Sequence, residues 1–92
     1  MSVKVRIPTP LRGLTNNVDI VASEATTLAA CIDGLETSYP GMKERICDDT
    51  GEIRRFVNVY INGEDVRFLD GLSTPLKTGD EVSIVPAVAG GA

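Results

Sequence analysis

The stretch Phe56-Val57-Asn58-Val59-Tyr60-Ile61, followed directly by Asn62-Gly63, decides the fold of this chain. β-Branched and aromatic residues of this kind are enriched in strands, and Asn-Gly is the dipeptide of tight hairpin turns. One face of the predicted strand carries Val57, Val59 and Ile61, and the other carries Phe56, Asn58 and Tyr60. The segment therefore predicts a strand with one buried face, and residues 66–68 are expected to form a short returning strand.

Alternation of period two also marks both ends of the chain. Residues 3–7 alternate apolar with basic side chains until Pro8, and residues 18–22 alternate again after Asn16-Asn17. Residues 82–85 repeat the pattern before Pro86. We expect an N-terminal hairpin and a last strand that ends at this proline.

Between these strands the apolar period becomes that of a helix. From Thr26 onward, apolar residues follow at spacings of i, i+3, i+4, i+7 and i+11: Leu28, Cys31, Ile32, Leu35 and Tyr39. Ser23 or Thr26 is expected to cap the helix start, and Pro40-Gly41 is expected to stop it. Residues 42–47 predict one further short turn of helix, and the polar residues 48–52 predict a loop.

The resulting order β-β-α-β-β-β predicts an α+β fold of the β-grasp type. In this arrangement a mixed sheet carries one main helix on one face, and the first and last long strands are parallel neighbours. We expect one domain over residues 1–86 and a flexible C-terminal tail over residues 87–92, because 92 residues suffice for one core.

Charge and composition exclude several classes of function. The net charge is −4, and Arg54-Arg55 is the one adjacent pair of basic residues, so we expect no nucleic-acid partner. No apolar run approaches the length of a membrane span, so we expect no membrane association. The basic and apolar alternation at residues 3–7 is unlike a secretory signal, which predicts a cytoplasmic protein.

The two cysteines predict neither catalysis nor metal binding. Cys31 and Cys47 match no CxxC spacing, and the sequence contains no His to activate a thiol or to ligate a metal. Cys31 lies on the apolar helix stripe and is expected in the core, whereas Cys47 is either core or exposed. We therefore expect no catalytic residue and no metal site, and we expect that the chain is not an enzyme.

The C-terminal third contains a pattern typical of one protein family. Residues 56–67 (FVNVYINGEDVR), 78–82 (TGDEV) and 85–91 (VPAVAGG) resemble the ubiquitin-like sulfur carriers of the ThiS, MoaD and CysO family. The opening residues 3–12 (VKVRIPTPLR) are similar as well, and the CysO branch is the most similar in appearance. The resemblance spans nearly the whole chain and implies the same β-grasp fold.

The resemblance implies chemistry at the carboxylate of Gly91. An E1-like enzyme would adenylate this carboxylate with ATP, and sulfur would then replace AMP to leave a thiocarboxylate. In the CysO branch, a PLP-dependent cysteine synthase takes its sulfide from that group. The carrier binds no cofactor itself, since ATP is used by the activating partner. Sulfur supply for thiamine, molybdopterin or tRNA thiolation is an alternative, as are conjugation to lysines as a protein modifier and a binding module that uses only its sheet.

The glycine-rich end suits such chemistry. Val88, Ala89, Gly90 and Gly91 are expected to thread into the partner, because glycines without Cβ atoms fit a narrow channel. The six residues from Pro86 to Gly91 can extend about 20 Å.

Ala92 departs from the family pattern, in which the working form ends at the second glycine. We therefore predict a pro-form that a JAMM-type zinc peptidase cuts after Gly91, so that Ala92 is the cleaved residue. The alternative is that Ala92 is tolerated or artificial.

A docking surface is predicted on the sheet face that the helix leaves open. Phe56 and Tyr60 fall on that face, and Val85 would join them from the last strand. The alternatives are that these are partly covered surface residues or that the two faces are reversed. Arg54, Arg55 and Arg67 either rim this patch or are solvated charges.

Overall fold

The structure is a computed structural model and describes residues 2–86 of the chain. The five strands are β1 (Val3–Arg6), β2 (Ile20–Ser23), β3 (Val57–Ile61), β4 (Glu64–Asp65) and β5 (Glu81–Pro86). The two α-helices are α1 (Leu28–Ser38) and α2 (Met42–Ile46), and short 3₁₀ helices span Thr9–Thr15, Val66–Phe68 and Gly71–Ser73. Among the described residues, no helix has both the length and the hydropathy needed to cross a bilayer.

The five strands form one mixed sheet in the order β2-β1-β5-β3-β4. β1 and β5 are parallel, with Val5 opposite Val82, and the other three pairs are antiparallel. This is the β-grasp arrangement, so the predicted fold class and the parallel pairing of the first and last strands are confirmed. β5 lies in the middle of the sheet, between β1 and β3, so Pro86, the last described residue, lies in a central strand.

The core lies between one face of the sheet and α1. Alternate residues of the three central strands are buried: Val3 and Val5 in β1, Val57, Val59 and Ile61 in β3, and Val82 and Ile84 in β5. They form one cluster with the predicted helix stripe, in which Leu28, Cys31, Ile32 and Leu35 are buried. The predicted faces of β3 are therefore correct. Burying an aliphatic side chain of this size, rather than leaving it exposed, stabilises the folded state by roughly 1.5–3 kcal/mol.

The returning strand predicted at residues 66–68 is wrong. The strand is Glu64–Asp65, directly after the Asn62-Gly63 turn, and Val66–Phe68 is a 3₁₀ helix. Asn62 and Gly63 both have positive φ, as a two-residue hairpin turn requires. The Asp65 carboxylate accepts a hydrogen bond from the backbone N–H of Arg67 at 2.9 Å. This cap starts the 3₁₀ helix, so the pairing of β4 with β3 ends after two residues.

The start of α1 also differs from the prediction. Thr27 is the N-cap, and its hydroxyl accepts a hydrogen bond from the N–H of Ala30 at 3.2 Å. Ser23 instead accepts from the N–H of Ala25, and the Thr26 carbonyl accepts from the N–H of Leu76. Both predicted caps are wrong, because these two residues make their hydrogen bonds with residues outside the helix.

Asp80 fixes the turn that leads into β5. Its carboxylate accepts hydrogen bonds from the N–H of Lys77 at 2.8 Å and from Nδ2 of Asn62 at 2.9 Å. These bonds hold the pKa of Asp80 below its usual value. Such a group contributes stability above the ordinary aspartate pKa of about 3.9, and this contribution disappears as the pH falls through the lower folded-state pKa.

Replacing Asp80 is therefore expected to weaken the protein above about pH 4, with a difference that shrinks as the pH falls and disappears below the lowered folded-state pKa. Asp80→Asn should lower the free energy of unfolding by about 1 kcal/mol at neutral pH. Urea denaturation over a pH series measures this, with Asp70→Asn as control because the Asp70 carboxylate accepts no hydrogen bond among residues 2–86. Equal acid sensitivity of wild type and Asp80→Asn would contradict this assignment.

Candidate functional site at the end of the last strand

The last described residues of β5 lie beside the turn that precedes β3. Pro86 is the last residue of β5 and lies opposite Val57, while Val85 lies opposite Asn58. Proline has no N–H to donate, which suits the last position of a central strand. The predicted reactive and threading residues lie outside the described residues: Val88, Ala89, Gly90, Gly91 and Ala92.

Two of the three predicted docking residues, Tyr60 and Val85, lie on the sheet face opposite the core, and the third, Phe56, lies just before β3. Tyr60 is half-buried and lies opposite Ser83, and Val85 is 44% exposed on the neighbouring strand. Phe56 is 49% exposed and lies outside β3, which corrects the predicted strand start. The N–H of Val57 donates to the carbonyl of Arg54 at 3.0 Å, closing a tight turn that places Phe56 at its corner.

Arg67 holds this turn together, a role that the sequence analysis missed. Its Nη2 donates to the backbone carbonyls of Val57 at 2.9 Å, Arg55 at 3.0 Å and Arg54 at 3.3 Å. Its Nη1 donates to Oδ1 of Asn58 at 2.9 Å. Arg67 is exposed, as expected for a solvated charge, and its guanidinium makes these hydrogen bonds in addition. No sequence period reports them, because the partners lie 9 to 13 residues away along the chain.

The open face also carries a charge pair between the two parallel strands. Nε of Arg6 donates to Oε2 of Glu81 at 2.7 Å, and both side chains are about half exposed. The hydrogen bond and the charge of Glu81 raise the pKa of Arg6. Exposed pairs of this kind add little stability, so the pair mainly sets the charge pattern of the face. Beside it, Arg12 and Val85 line a shallow groove that reaches the end of β5.

Both cysteines are buried, at 1% and 3% exposure. The predicted core position of Cys31 is confirmed, and the open choice for Cys47 is decided in favour of the core. Burial raises the pKa of each thiol, which suppresses the thiolate needed for nucleophilic chemistry. Among residues 2–86, no three His, Cys, Asp or Glu side chains are grouped so that they could hold a metal ion.

Residues 5–91 match the ThiS family, a match that includes the glycine pair and nearly the whole chain. The chain belongs to the ThiS family. It is 50% identical to the sulfur carrier protein CysO of Mycobacterium tuberculosis, over 99% of this chain and all of that protein. It is also 45% identical to small archaeal modifier protein 3 of Haloferax volcanii, over 71% of this chain and 70% of that protein.

Solved structures of ThiS-family relatives have the same fold. The CysO chain in the BexX/CysO complex of Amycolatopsis orientalis superposes with a TM-score of 0.90 at 43% identity. That superposition covers 96% of this chain and 98% of the other. This ThiS-family chain is therefore a homologue of sulfur carrier protein CysO, with ubiquitin-like modifiers among its relatives. The named relatives are small carriers and modifiers rather than enzymes.

Proposed function

We propose that this chain carries sulfur as a thiocarboxylate on Gly91. An E1-like enzyme would catalyse attack of the Gly91 carboxylate on the α-phosphorus of ATP, with release of pyrophosphate. A sulfur donor would then attack the acyl carbon, and AMP would leave. The observation that carries this proposal is the full-length similarity to CysO together with a family match that extends through Gly91.

The proposed destination of the sulfur is cysteine, made by a PLP-dependent cysteine synthase that takes sulfide from the thiocarboxylate. The similarity to CysO proteins supports this choice. Residues 1–86 would form the docking body, and residues 87–92 the tail that enters the enzyme. Removal of Ala92 by a JAMM-type zinc peptidase would expose the Gly91 carboxylate for activation. The chain itself would contribute no catalytic side chain, and its compartment would be the cytoplasm.

The body would dock through Phe56, Tyr60 and Val85. Phe56 and Val85 are large apolar side chains left 49% and 44% exposed, and both lie at the end of the sheet where the chain leaves β5. A partner that admits Val88, Ala89, Gly90 and Gly91 into its active site must contact this end of the body. Apolar side chains in such a place contribute binding energy when the partner buries them.

A second candidate function is protein modification. The similarity to small archaeal modifier protein 3 favours it, because an activated glycine carboxylate can react with a lysine amine as well as with sulfur. The first chemical step is the same in both functions, and the nucleophile that displaces AMP differs. Sulfur supply for thiamine, molybdopterin or tRNA thiolation would use the same thiocarboxylate.

Intact-mass measurement tests the proposal. A chain that ends at Gly91 is incubated with the E1-like enzyme of the same organism, ATP and a sulfur donor. We expect a mass gain equal to one exchange of oxygen for sulfur. A reaction without ATP and a chain that ends at Gly90 serve as controls.

Adducts on lysines of other proteins, without the exchange, would instead support the modifier function. No mass change with any E1-like enzyme of the organism would contradict both functions.

A further inference from the structure

Three backbone carbonyls of the turn before β3 converge on a single nitrogen atom. The carbonyl oxygens of Arg54, Arg55 and Val57 lie 2.9–3.3 Å from Nη2 of Arg67. Carbonyl oxygens carry partial negative charge, so three of them at one point repel one another unless a cation lies between them. The conformation of this turn therefore depends on the Arg67 guanidinium.

Arg67 is itself held both at its backbone and at the tip of its side chain. Its backbone N–H donates to the Asp65 carboxylate at 2.9 Å, and the preceding residue, Val66, is 1% exposed in the core. At the other end, Nη1 donates to Oδ1 of Asn58 at 2.9 Å. A long side chain that is fixed in this way is already ordered before any partner binds, which lowers the entropy cost of binding.

Phe56 depends on the same turn for its position. It is not part of the buried core cluster, and half of its side chain is exposed. The backbone carbonyls of its neighbours on both sides, Arg55 and Val57, accept hydrogen bonds from Arg67. We infer that Arg67 is a positioning residue that holds Phe56 in the orientation that the E1-like enzyme binds. This inference rests on the docking surface proposed above.

The guanidinium is suited to this role by its shape. Its planar fork directs Nη1 to a side chain and Nη2 to the carbonyl cluster at the same time. A lysine ammonium keeps the charge but is one compact centre on a flexible stem. Arg67→Lys is therefore expected to restore only part of what Arg67→Gln loses.

The affinity of the Gly91-ending chain for the E1-like enzyme, measured by titration calorimetry, tests the role of Arg67. We expect Arg67→Gln to weaken binding about 10-fold and Arg67→Lys to weaken it less. The rate of thiocarboxylate formation at saturating carrier should stay unchanged, because the proposed role of Arg67 lies in binding and not in the chemical step. Arg55→Gln is the matched control: it removes the same charge from the same turn, but the Arg55 side chain makes no hydrogen bond or ion pair among residues 2–86.

A double-mutant cycle separates positioning of Phe56 from a direct contact by Arg67. Phe56→Ala is expected to weaken binding at least as much as Arg67→Gln, and the double variant should bind no more weakly than Phe56→Ala alone. Urea denaturation identifies a variant that fails to fold, in which case Arg67→Lys takes its place in the cycle. Faster amide exchange at Val57 in the Arg67 variants than in Arg55→Gln would show that the turn loosens.

Additive effects in the cycle, or equal binding by Arg67→Gln and Arg55→Gln, would overturn the positioning role. An unchanged affinity of Phe56→Ala would overturn it together with the docking surface, while sulfur transfer could still be observed. Failure of the proposed function looks different. The wild-type chain and its variants would bind the E1-like enzyme with the expected differences in affinity, but the wild-type chain would gain no sulfur.

Discussion

A chain that ends at Gly91 is expected to form the thiocarboxylate about 100-fold faster than a chain in which Ala92 follows Gly91. The additional residue moves the carboxylate by one peptide unit, roughly 3.5 Å, and places a Cβ atom next to it. Adenylation requires the carboxylate oxygen to meet the α-phosphorus of ATP in line, so displacement by a residue length removes the reacting atom from its position. Single-turnover assays with intact-mass detection measure the two rates.

One variant and one treatment separate the contributions of length and side chain. Ala92→Gly keeps the added length and removes the Cβ atom, so we expect it to react as slowly as the Ala92 form if position dominates. Incubation of the Ala92 form with an active JAMM-type peptidase should restore the fast rate, and an inactive peptidase should not. Equal rates for the Gly91-ending and Ala92-ending chains would show that the alanine is tolerated and that no cut is needed.

Truncating Leu28 is expected to have the largest effect on stability among the single substitutions considered for this chain. Leu28 is fully buried at the start of α1, and its backbone N–H donates to the carbonyl of Thr74 at 3.0 Å. Leu28→Ala leaves a cavity between helix and sheet and should lower the free energy of unfolding by about 3 kcal/mol. A domain of this size has roughly 5–14 kcal/mol in total, so the loss is a large fraction of the stability.

Urea denaturation monitored by circular dichroism measures this loss. Leu69→Ala is the matched control, because it removes the same atoms from a side chain that is 38% exposed. We expect the control to lose less than about 1 kcal/mol. Similar losses in the two variants would mean that the core packs less tightly around Leu28 than its burial indicates.

The strands and helices were largely predictable because burial imposes a period on the sequence. Val57, Val59 and Ile61 alternate with polar or exposed residues since one face of β3 packs on α1, and all three are buried. The returning strand could not be placed by the same means. There the Asp65 carboxylate ends the ladder by capping the next turn, and a local hydrogen bond of this kind leaves no periodic signal.

The family to which the C-terminal end belongs was predictable, whereas the surroundings of that end were not. The Gly90-Gly91 pair and the strand before it carry the family resemblance, and the ThiS family match includes them. The position of Phe56 at a turn corner, rather than within β3, depends on a local hydrogen bond and on contacts from Arg67, which is distant along the chain. The buried state of Cys47 likewise depended on how α2 packs, which left its exposure open from sequence alone.

The sequence by itself therefore determined the β-grasp class, the inward face of each central strand and the family to which the chain belongs. These features are encoded by residue type and spacing, which act locally along the chain. Only the tertiary structure decided that Arg67 donates hydrogen bonds to three backbone carbonyls of the turn at Phe56, beside the end of β5. The physical reason is that a guanidinium can satisfy several carbonyl dipoles at once, and which carbonyls come within its reach is set only when β3 and β4 pair.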